Sequence, residues 1–585
     1  MSLKRFLISI LVLCCLLGTL VACNKTPEDD TPTDAIGESD AQTDVPVDTT
    51  GRFSIFMNGE YVCRVVCPDQ PSDAEQEIYK KVRERLKSAT DVMPERVTDF
   101  KAFNDTGEER AKPAILVGKT NYEESKQVYA KLGYGESKIE VVGNKLVIAF
   151  TNIADGERIL QKFRSIVKSS TEGYVSVDAA VNESVSSNES FVNLPRYPEG
   201  EAEAIDAGDG TYTVSVKKSD VDGLREYGDI LLSNGYECIS TREAEGNVFY
   251  TYTNETDYIY TYYSAYDSSV RICGGPIGML TREDYSLEGE ESYTPYLASI
   301  PQPFDGEGYF IRLPDGRFII FDGGYKDGDR VYRNLRKVEE GKITIAAWFI
   351  SHPHSDHYPA FIDFIAEHAK DEDVVIERVL LNYTNPQLYN IDGTAGKEEA
   401  GDDVTRLYNE MQTYIPDVPR LKVHTGQVIN FGSANVEILY TIDDHLPDTL
   451  NNINDSSLVI RVNVGGQSIM FLADTCYVSG PILNNLWGAS LKSDILQMAH
   501  HASWPSVKEI YQSIQAEVLL IPAATRNAKL YVVDERWSDV MQIALGYAKD
   551  LYVMGEKLQV YELPYTPAGN KAEMLEYLEN YVYKK

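Results

Sequence analysis

The chain has 585 residues, of which 43% are hydrophobic and 25% charged, a composition that fits a folded chain of three or four domains at roughly 150 residues each. Its 55 Lys and Arg stand against 90 Asp and Glu, a net charge of −35. Such a surface repels a phosphate backbone and disfavours general nucleic-acid binding, leaving only a local basic groove open to it.

The first segment reads as an address. Lys4 and Arg5 precede an apolar run from Phe6 to Leu20, shorter than the ~20 residues a membrane span needs. "LVAC" follows, ending on Cys23, and then polar sequence. This resembles a bacterial lipoprotein signal with its lipobox. The resemblance implies removal of residues 1–22, lipidation of Cys23 and a mature chain anchored to the extracytoplasmic face of the cell membrane; an ordinary secretory signal is the alternative. Residues 23–51 are rich in Asp, Thr and Pro without apolar periodicity and read as a disordered tether. Beyond the signal lie Cys63, Cys67, Cys238, Cys273 and Cys476. They form no CxxC pattern and no disulfide framework, although Cys238 and Cys273 are candidates to pair.

Residues 52–188 alternate helical and strand patterns. "DAEQEIYKKVRERLKSATD" carries apolar residues at helical spacing, "PAILVGKT" is a buried strand running into a turn, and "KIEVVGNKLVIAFT" is a hairpin turning at Gly143-Asn144. This predicts a small α/β domain. It is similar to the accessory domain that precedes the catalytic barrel in some bacterial carbohydrate hydrolases. Residues 194–290 predict an α+β domain: strand, helix and strand, then three strands in "NVFYTYTNETDYIYTYYSAYDSSVRIC". Its tyrosines, drawn from a total of 39, read as cross-strand pairs, with glycan contact as the alternative.

Residues 291–585 carry the chemistry. "GYFIRLPDGRFIIFDGGY" is a hairpin, "KITIAAWFIS" a buried strand, and further strands fall in "FGSANVEILYTI", "DSSLVIRVNVGGQSIMFLAD", "SDILQMAHHAS" and "AEVLLIPAA", with helices between. Two blocks of strands with helices outside are compatible with a four-layer αββα sandwich. Five of the chain's 8 histidines lie at two strand ends. "HPHSDH" places His352, His354, Asp356 and His357 after one strand, and His500 and His501 end another. Asp474 ends a third strand between them. Imidazole and carboxylate at this density suit divalent metal, and the strand-then-turn arrangement suits two neighbouring ions sharing a bridging carboxylate.

These motifs, with the "FDGGY" strand end, resemble the metallo-β-lactamase superfamily in order and spacing over about residues 293–561. Within it the chain looks most like the branch of cell-surface phosphorylcholine esterases and competence-protein hydrolase domains. The resemblance implies that His352, His354 and Asp474 hold one metal, and that Asp356, His357, Asp474 and either His500 or His501 hold the other. It implies zinc, with manganese or iron as alternatives, and Asp322 supporting the ligands from behind. Many superfamily members carry a further His before the bridging Asp. Here only His368, His424 and His445 lie in that interval, none in a family motif, which leaves the first metal an open position. A metal-activated water, with Asp356 and Asp474 as catalytic carboxylates, would attack a phosphodiester-type bond in a small molecule or cell-surface polymer. A lactone, amide or β-lactam substrate is the alternative, and a non-catalytic glycan-binding lipoprotein with a structural metal is a third reading. The resemblance also implies that "TRNAKLYVVDERW" forms a loop over the site, where Arg526 and Lys529 could meet an anionic substrate; as basic residues of a loop, the alternative is that they are simply solvated. The oligomeric state is not legible in the sequence.

Overall fold

Alternating apolar positions in the C-terminal half build two sheets that face one another. The computed structural model describes residues 50–582 except 101–106, 170–172, 199, 394–395, 505, 534–537 and 556; the signal segment and Cys23 lie outside the described residues. The first sandwich sheet runs Arg420–Lys422, Val379–Leu381, Ile343–Phe349, Phe318–Asp322, Gly308–Arg312, Tyr296–Ser299, Gln559–Glu562. The second runs Val428–Phe431, Ala434–Tyr440, Val459–Val464, Gln467–Phe471, Ile495–Gln497, Val518–Ile521, Asp550–Val553.

The period of two sorts each strand's side chains between two layers. Tyr309, Ile311, Ile319, Phe321 and Phe349 point inward and meet Ile438, Ile460, Val462 and Phe471 of the facing sheet. Phe310, Phe318, Ile320 and Trp348 point outward, where Val331, Leu335, Phe361, Phe364, Val404 and Leu407 from three helices cover them. Helices Ser479–Trp487, Lys508–Ile514, Thr525–Val533 and Ser538–Tyr547 cover the outer face of the second sheet. The result is a four-layer αββα sandwich.

Two smaller sheet systems precede it. Residues 52–186 form a six-stranded sheet beside a four-stranded one, with helix Asp73–Thr90 started by a capping box between Ser72 and Glu75. Residues 201–276 form a six-stranded antiparallel sheet. One of its faces is covered by helix Val221–Ser233 through Leu224, Tyr227 and Leu231. The other face carries Phe249, Tyr258, Tyr260 and Tyr262 and packs against the sandwich. Phe249 stacks on Trp487 with centroids 6.2 Å apart. The phenol of Tyr260 donates to the Thr425 carbonyl at 2.9 Å and that of Tyr262 to Asp444 at 2.7 Å. This corrects the glycan alternative for the tyrosine face. Its rings are buried, their hydroxyls have partners, and alternation could not show what covered them.

The five cysteines from Cys63 onward are free, which corrects the suggested pairing of Cys238 with Cys273. Cys238 is exposed on the edge strand Glu237–Ala244, whereas Cys273 is buried in Ser269–Pro276, with two strands between them. None of the helices among the described residues is long and apolar enough to cross a membrane.

Candidate metal centre

Four strands deliver the candidate ligands to one edge of the sandwich. Phe318–Asp322 and Ile343–Phe349 run parallel in one sheet, as do Gln467–Phe471 and Ile495–Gln497 in the other. Asp322 ends the first of these strands, and the loops after the other three carry the HPHSDH motif, Asp474 and the histidine pair. The loops are held together by backbone: Gly323 and Gly324 both donate to the His357 carbonyl at 2.9 Å, Leu458 donates to Ser351 O at 3.1 Å, and His500 donates to Ala473 O at 2.9 Å. Gly324 has φ +86°, and a Cβ there would strike Gln302, so the "FDGGY" glycine has a physical reason.

His357 and His501 are each anchored by one nitrogen, with the other left without a hydrogen bond. His357 offers Nδ1 to Asp322 at 2.8 Å and turns Nε2 to within 3.2 Å of Asp474. His501 offers Nδ1 to the Pro522 carbonyl at 2.9 Å. Its Nε2 lies 3.1 Å from Asp356 and 3.5 Å from Asp474. His352 has Nδ1 at 3.0 Å from Ser351 Oγ and Nε2 at 3.6 Å from Asp474, and 3.0 Å from His354 Nδ1. Metal-ligating imidazoles are held in this way. The ligand atoms of His352, His354 and Asp474 lie within 4.8 Å of one another, as do those of Asp356, His357 and His501. Asp474 touches both sets.

The buried atoms test the fit. His357 Nε2, His501 Nε2 and Asp474 Oδ1 make no hydrogen bond although buried. Buried polar atoms are otherwise almost always paired, and lone pairs converging from neutral and anionic groups suit a cation. The donors are nitrogen and oxygen with no thiolate, which fits zinc, iron or manganese. Burial, then the neighbouring His357, hold His352 well below the usual imidazole range. For His357 burial is overcome by Asp474, Asp356 and Asp322, which push it up. His501 is pushed up to about 9, burial yielding to Asp474 and Asp356.

The backbone distinguishes the two members of the histidine pair. His500, His501 and Ala502 have φ +49°, +56° and +66°, a left-handed run that non-glycine residues adopt at about 1–3 kcal/mol each. It turns His501 inward, 4% exposed, into the set with Asp356. His500 stays at the mouth beside Trp504, ring centroids 6.1 Å apart, and 3.7 Å from Asp474.

Glu307 is a residue that sequence reading missed. Its carboxyl is fully buried, both oxygens lack partners, and it groups with His357 and Asp474. A glutamate between two glycines at the head of a strand, "GEGYF", reads as a turn; its one signal is a charge placed where burial begins. The intermediate histidines do not enter the cluster. His368 bonds Asp371 and Asp329, His424 bonds Asp443 and Tyr258, and His445 bonds the Thr449 carbonyl.

The expected substrate loop is corrected: Thr525–Val533 is a helix. Lys529 donates to the Glu579 and Tyr581 carbonyls at 2.8 and 2.9 Å, so its ammonium is committed to the C-terminal helix. Arg526 sits on the exposed side beside Asn527. Asn527 and Tyr531 reach back instead to Asp305, two residues before Glu307.

Fold and site together define a four-layer αββα sandwich with two adjoining ligand sets that fit a dinuclear metal centre. No family model and no curated protein matches the chain. Among solved structures, the diiron β-hydroxylase CmlA from Streptomyces venezuelae aligns over 50% of this chain and 55% of its own, at 15% identity and a TM-score of 0.30. A mutant of the flavo di-iron protein from Thermotoga maritima aligns over 65% and 62%, at 11% identity and a TM-score of 0.18. The chain thus spans less than two thirds of either structure, and the chemistry is read from its own residues.

Proposed function

We propose that the chain is a metal-dependent hydrolase of phosphodiester-type bonds, held at the outer face of the cell membrane by lipid on Cys23. The observation that carries the hydrolase reading is the convergence of bare buried ligand atoms on Asp474. His352, His354 and Asp474 would hold one ion; Asp356, His357, His501 and Asp474 would hold the other. When bound, two divalent ions, zinc foremost with manganese or iron as alternatives, supply Lewis acidity at the scissile bond and acidify a water.

The chain's own groups set what can react. Asp356 is one-fifth exposed at the mouth, placed to accept the proton of an attacking water and orient it. His352, His357, Asp474 and His501 form the buried floor and keep bulk water out. His500 and Trp504 form a wall against the substrate's remaining part. On this reading the substrates are phosphodiesters in small molecules or surface polymers.

The test is turnover of bis-p-nitrophenyl phosphate, p-nitrophenyl phosphorylcholine and nitrocefin by the metal-loaded protein, repeated with His354→Ala. Diester cleavage that chelation and His354→Ala abolish, without nitrocefin cleavage, is expected. Nitrocefin cleavage alone would move the substrate to the amide class, and no turnover on a broad ester panel would sink the hydrolase reading. Fatty-acid labelling in cells, lost in Cys23→Ala, tests the anchor; label retained in that variant would overturn it.

A further inference from the structure

The N-terminal sheet holds a crevice remote from this chemistry. Strand Arg64–Cys67 lies between two parallel neighbours, Val97–Thr98 on one side and Ala114–Val117 on the other. The chain leaves Arg64–Cys67 through helix Asp73–Thr90, whose Ile78 and Val82 pack with Val65 and Ile115 on one face. It leaves Ala114–Val117 through helix Glu123–Tyr129, whose Val128 and Tyr129 pack with Val66 and Leu116 on the opposite face. The two connections therefore part at the carboxyl ends of adjacent parallel strands. Open α/β sheets receive ligands at such a switch point.

A cleft of about 870 Å³ lies there, bordered by the turns after both strands, by Tyr129, and by Arg196 and Tyr197 from the segment entering the tyrosine-rich sheet. Its walls are fixed in advance. Asp99 accepts from the backbone of Asp69 at 2.8 Å and of Asn121 at 2.7 Å, tying together the turns that follow three strands. Lys119 N donates to Glu75 at 2.7 Å, and Arg196 donates to the Tyr129 carbonyl at 2.8 Å. Within this frame the Thr120 hydroxyl, on a residue 3% exposed, has no hydrogen-bond partner. A bare buried hydroxyl is costly, and Thr120 is one of the residues that border the cleft. The Lys119 ammonium stands 5.7 Å from the Tyr129 ring centroid, and Lys119, Lys126 and Arg196 give the cleft three basic residues beside the carboxylates of Asp69 and Asp99, Lys126 being paired with Glu123.

We propose that this cleft binds a sugar carrying a carboxylate or phosphate. Lys119 and Arg196 meet the anion through charge-assisted hydrogen bonds. Thr120 and Gln70 meet the ring hydroxyls, Asn121 being engaged by Arg110 and the Asp99 carbonyl, and Tyr129 and Tyr197 supply the apolar walls such sites use. The inference is independent of the metal centre.

Calorimetric titration of the full chain with glucuronate, glucose 6-phosphate, glucose and inorganic phosphate tests it. Saturable binding of a charged sugar is expected, at least about tenfold tighter than glucose or phosphate alone, with Lys119→Met and Thr120→Val each weakening it about tenfold and Thr120→Ser retaining it. Asp474→Asn leaves the affinity unchanged. Each variant's unfolding midpoint is measured alongside, so lost binding is read only from folded protein. Absence of saturation with both charged sugars, equal affinity for glucose or for free phosphate, or full affinity in folded Lys119→Met would each overturn the proposal.

Discussion

Asp322 and His357, 35 residues apart in sequence, meet at 2.8 Å through Oδ2 and Nδ1, and the same carboxylate takes the Ser351 amide at 2.8 Å and its hydroxyl at 2.6 Å. One buried carboxylate thus fixes the tautomer and direction of the histidine that faces Asp474. Asp322→Asn keeps the shape and weakens that hold. It is expected to reduce metal affinity roughly 10–100-fold while the circular-dichroism spectrum is unchanged. Chelator competition followed by metal analysis measures this, and wild-type affinity in the variant would remove Asp322 from the support of the site.

Glu307 separates two states of the protein. Without metal, burial first of all, then the nearby carboxylates Asp322 and Asp474, push its carboxyl well up, although His357 and His501 pull the other way. Glu307→Gln removes an acid with no hydrogen-bond partner, so the metal-free protein is expected to be equally or more heat-stable. If Glu307 contributes to the centre, the stabilisation that added metal gives shrinks in the variant. Melting with and without chelator reads both arms, and an undiminished metal-dependent increment would show that Glu307 takes no part in holding the ions.

The tyrosine-rich sheet is expected to act as a structural buttress. Phe249→Ala opens a cavity against Trp487, Tyr260 and Tyr262 and is expected to cost about 3–5 kcal/mol. Tyr262→Phe leaves Asp444 short of one donor at a cost of about 1–3 kcal/mol. Urea unfolding measures both. A loss of glycan binding without a loss of stability would instead return this face to ligand recognition.

The parts of the site legible in sequence were those ending apolar strands. HPHSDH, Asp474 and the histidine pair each follow a continuous apolar run that marks a buried strand, and imidazole at such ends is rare enough to stand out. Three things were hidden. The choice between His500 and His501 depends on three successive left-handed residues, which no side-chain pattern encodes. The burial of Tyr258, Tyr260 and Tyr262 depends on a partner surface formed by residues well over a hundred positions away. Helix Thr525–Val533 buries only Ala528 and Val532, too thin a stripe to produce helical periodicity, so it read as a loop.

Acid sensitivity follows from the junction between the tyrosine-rich sheet and the sandwich. Asp209 lies 3.2 Å from the Lys422 ammonium, and Asp443 lies 2.8 Å from His424. Burial opposes both charges, but Lys422 and Thr211 hold Asp209, and His424 and Thr213 hold Asp443, each down at about 2 against an ordinary 3.8. Their folded-state values are depressed, so their stabilisation is present above about pH 4 and lost as pH falls toward about 2. It amounts to about 2 kcal/mol each. Asp444 has the opposite sign. Burial pushes it up to about 6 despite hydrogen bonds from Thr425 and Tyr262, so its contribution is present below about pH 4 and lost as pH rises through about 6. Urea unfolding from pH 2 to 8 is expected to show both limbs. Asp444→Asn should flatten the limb between about pH 4 and 7 by about 2–3 kcal/mol and leave the acid limb in place. Asp209→Asn should do the reverse, lowering stability at neutral pH and making the acid limb shallower. An unchanged upper limb in Asp444→Asn would show that this carboxylate is not what makes the junction weaken as pH rises.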